Sequence, residues 1–235
     1  MFSIFTDPVK MAQQMEIILD AYGFAIWENL YALALEVIFA DVIGLPLGML
    51  LVAGDPKGVR PMPGWLMKTL NVVINLLRSV PFLILMLIAL PLSKIIVGTK
   101  VGTPATIPPM VVCAFPLVAR MVESSLREVN QGVIEAVQSM GASTWQIVTK
   151  VMLPECKRSL INGATTASIT ILGYGAMAGN IGGGGLGAIA LMRGHGRGQT
   201  VVLYVAVILL VIMVQIIQSV GTALAVKLDK RISHK

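Results

Sequence analysis

The chain has 235 residues, of which 56% are hydrophobic and only 13% are charged. A soluble domain of this size carries about 25% charged residues, so this much apolar sequence indicates a lipid bilayer as its solvent. The formal net charge of +6 does not indicate nucleic acid, because the basic residues lie between apolar runs and form no patch with interleaved aromatic residues. The composition predicts a multi-pass integral membrane protein that contacts lipid.

The first segment, residues 8–28, predicts a short amphipathic helix on the membrane surface. Its apolar residues recur at helical spacing, and they are Met11, Met15, Ile18, Leu19 and Tyr22. The charged residues among them are Lys10, Glu16 and Asp20.

Five later segments are apolar and long enough to cross a bilayer, which takes about 20 residues each. They are residues 30–53, 70–97, 104–122, 159–181 and 200–226. The fourth is rich in Gly, Ala, Ser and Thr, which predicts close packing inside a helix bundle. The sequence therefore predicts one all-α membrane domain over residues 1–235, with five transmembrane helices.

The distribution of Lys and Arg predicts the orientation of these spans. With the N-terminus outside and the C-terminus inside, twelve basic residues fall on the cytoplasmic side and five on the outer side. The cytoplasmic ones are Lys57, Arg60, Lys68, Arg120, Arg127, Lys150, Lys157, Arg158, Lys227, Lys230, Arg231 and Lys235. The outer ones are Lys10, Lys94, Lys100, Arg193 and Arg197.

Glu36 and Asp41 lie inside the first predicted span, and Arg78 lies inside the second. Such charges are costly in lipid, so we expect them to face the bundle or water, in a structural role or along a pathway. We expect Asp41 to pair with Arg78, whereas Glu36 lies on another face of its helix.

Residues 121–158 form a long cytoplasmic loop between the third and fourth spans. Apolar positions repeat at helical spacing in two stretches, one ending near Gly141 and the other at Leu153 and Pro154. These stretches predict two short helices that are too short to cross the membrane. Their apolar faces either pack under the bundle or dock into the groove of a partner.

A motif in this loop resembles the signature of ABC importer permeases. It consists of Glu135-Ala136-Val137, Gly141, Val151 and Leu153-Pro154. The spacing is that of the family, which has Ala and Ile at the positions of Val137 and Val151. Most of residues 42–231 is similar to the methionine-uptake permeases in particular. The similar stretches include Arg78-Ser-Val-Pro-Phe82, Ala119-Arg-Met-Val-Glu123 and Gly182-Gly-Gly-Gly-Leu-Gly187.

The resemblance implies a type I ABC importer permease that works as a homodimer in the bacterial cytoplasmic membrane. Two ATPase subunits would bind ATP and Mg²⁺ and hydrolyse ATP, so the chain itself would be no enzyme and hold no cofactor or metal. A lipid-anchored substrate-binding protein would deliver substrate from outside. The residues that would couple the chain to the ATPase are Glu135, Ala136, Gly141, Leu153 and Pro154.

The outer end of the fourth span carries Tyr174 and Met177, which the resemblance places at the gate of the translocation pathway. Met177 is a soft side chain suited to sealing a pore, although ordinary packing explains it equally well. The glycines from Gly182 to Gly187 would allow tight turns and close helix contact there.

The resemblance implies methionine, as the D- or L-enantiomer, as the substrate. A permease for another amino acid or small nutrient stays open, because the coupling motif does not distinguish substrates. A secondary transporter would work without an ATPase. An intramembrane enzyme is disfavoured, because both histidines lie outside the predicted spans.

Overall fold

A computed structural model describes residues 8–228 of the chain, with the side chains of residues 14–228. Over these residues it contains helices and no strand. The α-helices are α1 (Pro8–Ala53), α2 (Gly64–Ser79), α3 (Phe82–Ile96), α4 (Thr103–Arg127), α5 (Gln131–Ser139), α6 (Thr144–Gln146), α7 (Leu153–Glu155), α8 (Lys157–Ala178), α9 (Gly185–Ala188) and α10 (Thr200–Lys227). Two π-helical segments, Ile147–Met152 and Ile189–His195, and a 3₁₀ turn, Gly179–Ile181, join some of them. The predicted all-α class is confirmed.

Helix α1 differs from the prediction, because residues 8–28 continue into the first span without a break. Its 46 residues correspond to about 70 Å, more than twice the hydrocarbon thickness of about 30 Å. The helix is unbroken between the two predicted parts, and Pro46 also lies inside it. The predicted separate helix is therefore wrong, and its position on the membrane surface stays a prediction. The side chains of Lys10 and Met11 are not among the described side chains. The residues Lys230, Arg231 and Lys235 lie outside the described part of the chain.

The second predicted span, 70–97, is also not one helix. It is divided between α2 and α3 by a break at Val80 and Pro81. Proline has no backbone N–H and constrains the residue before it to extended geometry, and Val80 is extended with ψ 131°. The helix therefore ends at Ser79 and a new one begins at Phe82.

Three described helices are long and apolar enough to cross a membrane, and the pair α2 and α3 makes a fourth if it forms one broken span. The three are Gln14–Ala53, Thr103–Arg127 and Thr200–Lys227. Helix α8 coincides with the predicted fourth span but is less apolar, because Gly, Ser and Thr interrupt its apolar residues. The count of five spans and the orientation stay predictions.

The helices divide into two compact units, each assembled from three stretches of chain. The first unit contains the described parts of Met1–Val37 together with Phe82–Val111 and Ser168–Ile217. The second contains Ile38–Pro81, Val112–Ala167 and the described parts of Gln218–Lys235.

In the first unit, the start of α1 is fastened to the start of α10. The Tyr22 hydroxyl donates to the Val202 carbonyl, and the Gln14 side chain accepts from the Val201 N–H at 3.1 Å. The Val201 amide lies in the first turn of α10, where backbone N–H groups have no partner within the helix. Gln14 and Tyr22 are both buried, so this end of α1 is part of the core.

In the second unit, α1 and α4 approach closely through glycines. A Cβ placed on Gly48 would lie 2.6 Å from the Cβ of Val122, so no larger residue fits there without movement. Small residues of this kind let helix backbones come together in membrane proteins. Next to this contact, the core joins α1, α2 and α4 through Leu51, Met67, Ile74 and Ala119.

Candidate functional site

Helix α5 carries the first half of the predicted coupling motif. The Asn130 side chain caps it by accepting a hydrogen bond from the Gly132 N–H at 2.8 Å. Within Gln131–Ser139 only Ile134 is buried, whereas Glu135 and Ala136 are exposed. Because a single side chain of α5 is buried, most of its surface is available to another molecule.

A tight turn with exposed apolar side chains follows α5. Gly141 has φ +81°, which a residue with a side chain adopts only with strain. The chain then re-enters a helix at Ser143, whose hydroxyl accepts from the Gln146 N–H while the Gln146 side chain accepts from the Ser143 N–H. Met140 is 77% exposed and Trp145 is 70% exposed. Two large apolar side chains exposed beside a defined turn indicate a binding surface.

The second half of the motif follows a π-helical segment. Ile147, Val148 and Met152 of this segment are buried, and the segment contacts α5. Pro154 lies two residues after this segment and has no backbone N–H to donate to an earlier carbonyl. The wider π turn before it is compatible with this missing hydrogen bond. Leu153 is half-buried and Pro154 is exposed. The structure thus brings both halves of the motif together in the second unit.

A polar network in the same unit was not predicted as a site. Its centre is Glu123, which is 9% exposed and accepts from Arg120. The other guanidinium nitrogen of Arg120 donates to the side-chain oxygens of Asn71 and Asn75 on α2, both at 2.8 Å. The Arg-x-x-Glu spacing places Arg120 and Glu123 on one helix face, which is the sequence signal for this contact.

Arg127 extends the network to the segment that follows α1. It donates to Glu123 at 3.0 Å and to the Asp55 carboxylate at 2.9 Å. The hydrogen bond from Arg127, together with one from the Lys57 backbone N–H, holds the pKa of Asp55 below its usual value. Beside this ion pair is a cavity of about 370 Å³, whose wall includes Arg127 and the α5 residues Ile134 and Gln138. Helix α5 therefore rests over a partly open space.

The predicted gate residues lie in the first unit, near the end of α8. The Tyr174 ring stacks on the Phe82 ring, with centroids 4.2 Å apart and planes 8° apart. Met177 follows one turn later on α8 and is 49% exposed. In the sequence Phe82 belongs to a family-like stretch, and its contact with Tyr174 is not predictable because 92 positions separate the two residues.

The glycine segment after α8 is held by a residue that the sequence did not single out, Glu28. One carboxylate oxygen of Glu28 accepts from the Gly185 N–H at 2.8 Å, and the other accepts from the Thr103 hydroxyl at 2.6 Å. Gly185 has φ +79°, and a Cβ there would lie 1.9 Å from the Asn29 side-chain oxygen. Both the backbone conformation and the close contact therefore require glycine at position 185.

The three intramembrane charges lie in different surroundings. Glu36 is 3% exposed and lines a cavity of about 20 Å³ in the first unit. Asp41 is half-buried and lines a larger, mostly apolar cavity of about 210 Å³ in the second unit, which Lys157 also lines. Arg78 is exposed in the last turn of α2. Among the ion pairs of residues 14–228, none joins Asp41 to Arg78, so that predicted pair is wrong. Asp41 instead faces the walls formed by α4 and α8.

A family model described as "Binding-protein-dependent transport system inner membrane component" matches residues 44–234. The chain belongs to this family. As a binding-protein-dependent permease, it is a component of an ABC transport system in the inner membrane, as the coupling motif predicted.

Relatives of known name lie within the same family. The "Probable D-methionine transport system permease protein MetI" of Vibrio cholerae is 42% identical over 94% of this chain and 98% of its own length. The "Methionine import system permease protein MetP" of Bacillus subtilis is 43% identical over 71% of this chain and 77% of its own length. A solved chain described as "Inward facing conformations of the MetNI methionine ABC transporter" matches with TM-score 0.88 and 39% identity, over 92% of this chain and 99% of that one. The predicted resemblance to methionine-uptake permeases and the predicted fold are confirmed.

Proposed function

We propose that this permease forms the translocation pathway of an ATP-driven importer for methionine, as the D- or L-enantiomer. The methionine systems named for its relatives and for the similar solved transporter support this substrate. Two copies of the chain assemble with two ATPase subunits, which bind ATP and Mg²⁺. A binding protein outside the cell delivers the substrate.

The observation that carries the proposal is the exposed surface of α5 and the turn after it. Glu135 and Ala136 face outward on a helix that buries one side chain, and Met140 and Trp145 stand beside Gly141. A helix followed by a turn that exposes apolar residues in this way fits a groove in a partner. We assign Glu135, Ala136, Gly141, Leu153 and Pro154 to the coupling contact with the ATPase.

Transport then proceeds by alternating access, with the N-terminus outside and the C-terminus inside. ATP binding closes the ATPase pair, and the coupling segments convert that closure into rigid-body rotation of the two permease copies. Substrate moves from the binding protein into a cavity on the dimer axis and leaves on the cytoplasmic side. The permease breaks no covalent bond in this cycle.

Tyr174 and Met177 form the outer gate in this mechanism, and Phe82 supports it by stacking on Tyr174. Stacked rings resist displacement, whereas an exposed Met adapts its shape to a second copy of itself across the dimer axis. We assign Glu36, Asp41 and Arg78 a structural role, or for the two acids a place along the pathway.

The substrate is tested with the permease reconstituted in liposomes together with its ATPase and binding protein. Methionine is expected to stimulate ATP hydrolysis, whereas other amino acids leave it at the basal rate. Stimulation by a different amino acid with none by methionine would reject the substrate and keep the permease assignment. Transport without the ATPase would indicate a secondary transporter instead.

The gate is tested with Met177→Ala, which is expected to raise ATP hydrolysis in the absence of substrate, because the closed state loses its seal. Met192→Ala is the matched control, since Met192 is also exposed, at 58%, and lies in the same unit outside α8. Unchanged basal hydrolysis in Met177→Ala, or an equal rise in both variants, would contradict the gate assignment.

A further inference from the structure

A small polar cavity lies in the first unit where α1, α4 and α8 meet the glycine segment. Its volume is about 20 Å³, which is room for one water-sized sphere and too small for an amino acid. The polar side chains that line it are Asn29, Glu36, Thr103 and Thr106, and Gly183 and Gly184 contribute backbone.

Glu36 is the unusual member of this cavity. Its side chain is 3% exposed and makes no hydrogen bond or ion pair with another described residue. A carboxylate buried in a membrane segment without a partner is strongly disfavoured, so such groups are paired or bind an ion. Because Glu36 lines this cavity, an ion bound to its carboxylate oxygens would lie in the cavity.

The surroundings of Glu36 are rich in oxygen and lack a basic partner. Glu28 lies about two turns earlier on α1, and its own oxygens already accept from Thr103 and Gly185. Within the described part of the chain, no Lys, Arg or His pairs with Glu28 or Glu36. The Thr106 hydroxyl donates to the Thr103 carbonyl at 2.8 Å, which leaves the lone pairs of its oxygen available to the cavity.

We propose that this cavity binds one dehydrated monovalent cation, with Na⁺ as the ion and with Glu36 and Thr106 as ligands. Carboxylate, hydroxyl and carbonyl oxygens are the ligands that such ions take inside membrane proteins. Ca²⁺ needs six to eight oxygen ligands, which a cavity holding a single carboxyl does not offer. The ion neutralises Glu36 on α1 and joins it to Thr106 on α4, so it stabilises this helix contact rather than driving transport.

The test uses the full chain purified in detergent. Binding of radiolabelled Na⁺ is measured by equilibrium dialysis, and thermal unfolding is followed in NaCl and in choline chloride at equal ionic strength. We expect about one Na⁺ per chain and a Tm about 3 °C higher in NaCl, because a ligand of the folded state raises its stability. Absence of Na⁺ binding together with equal Tm values would overturn the proposal and indicate a protonated Glu36 with a bound water.

Variants locate the ion. Glu36→Gln is expected to lower Na⁺ affinity by roughly tenfold or more and to remove the Tm difference between the two salts. Asp41→Asn is the matched control, because Asp41 is the other intramembrane acid of α1 and lines a different cavity. Asp41→Asn is expected to keep both the Na⁺ binding and the Tm difference between NaCl and choline chloride. Unaltered Na⁺ binding by Glu36→Gln, or its loss in Asp41→Asn alone, would overturn the assignment to this cavity. If Glu36→Gln does not fold, Thr106→Val tests the same site by the same two measurements.

Discussion

The coupling segment around α5 and the glycine segment, residues 182–187, are both short connections with helical parts, yet they are built in opposite ways. Within Gln131–Ser139 a single side chain is buried, and Met140 and Trp145 beyond it are exposed. In the glycine segment, Gly185, Leu186 and Gly187 are all buried. The coupling segment exposes a surface that a partner can bind, whereas the glycine segment buries its surface within its own unit.

This difference has a consequence for mutation. A substitution at Gly183, Gly184, Gly185 or Gly187 acts first on folding, because an added Cβ would lie 2.8 Å or less from a neighbouring atom. A substitution on α5 or the following turn acts first on binding, because the added or removed atoms face outward. Measurements that separate stability from association therefore distinguish the two regions.

The largest effect is expected for Gly185→Ala. The residue has φ +79°, and the added Cβ would meet the Asn29 side chain, so we expect a loss of about 2–4 kcal/mol in the free energy of unfolding. Thermal unfolding in detergent measures it. Gly173→Ala on α8 is the control, since no atom lies within 4 Å of its added Cβ. Equal Tm values for the two variants would mean that the glycine segment is as open as α5.

The next effect is expected for Trp145→Ala, which should weaken association with the ATPase by about tenfold or more and leave the Tm of the isolated chain unchanged. The physical reason is that Trp145 stays 70% exposed until a partner covers it. Trp65→Ala is the matched control, because Trp65 is 71% exposed against 70% for Trp145 and lies on α2. Co-purification with the ATPase measures association. If both variants weakened association with the ATPase equally, the contact could not be assigned to the region of α5.

Gly141→Ala is expected to have a smaller and mixed effect. Its φ of +81° strains any other residue by about 1–2 kcal/mol, although the added Cβ meets open space. We expect a modest fall in Tm and a partial loss of coupled ATP hydrolysis, both smaller than the effects above. A Tm loss as large as that of Gly185→Ala would show that this turn is packed rather than exposed.

The smallest effect is expected for Asp55→Asn, at about 0.5 kcal/mol, because the pair with Arg127 is partly exposed to solvent, at 49% for Arg127 and 29% for Asp55. The pKa of Asp55 is lowered below 3.8 in the folded protein, so the contribution is complete above pH 3.8 and is lost as pH falls through the folded value. The difference in Tm between the natural chain and the variant should therefore be constant near neutral pH and shrink in acid. A difference that grows in acid would contradict the pairing.

Much of this architecture could be predicted because it depends on local chemistry. Apolar length predicts spans, and the spacing from Glu135 to Pro154 predicts the coupling segment, since both are read along one stretch of chain. The break at Pro81 was open to prediction from the same chemistry, because proline ends helices. The single helix from Pro8 to Ala53 could not be predicted in the same way, because charged residues near its start indicate a surface helix. The burial of Gln14 and Tyr22 depends on contacts with α10, which lies far along the chain.

Partners distant in the chain account for the remaining differences. Asp41 and Arg78 have opposite charges and suitable positions for a pair, yet Asp41 faces α4 and α8 instead. Glu28 carries no motif, and only folding brings it to Gly185, 157 positions later. Composition, hydropathy and motif spacing determine the class, the family and the exposed coupling segment, because they act within a few turns of helix. Which charges are paired and which glycines are irreplaceable was decided by tertiary packing, because those contacts join helices that the sequence keeps far apart.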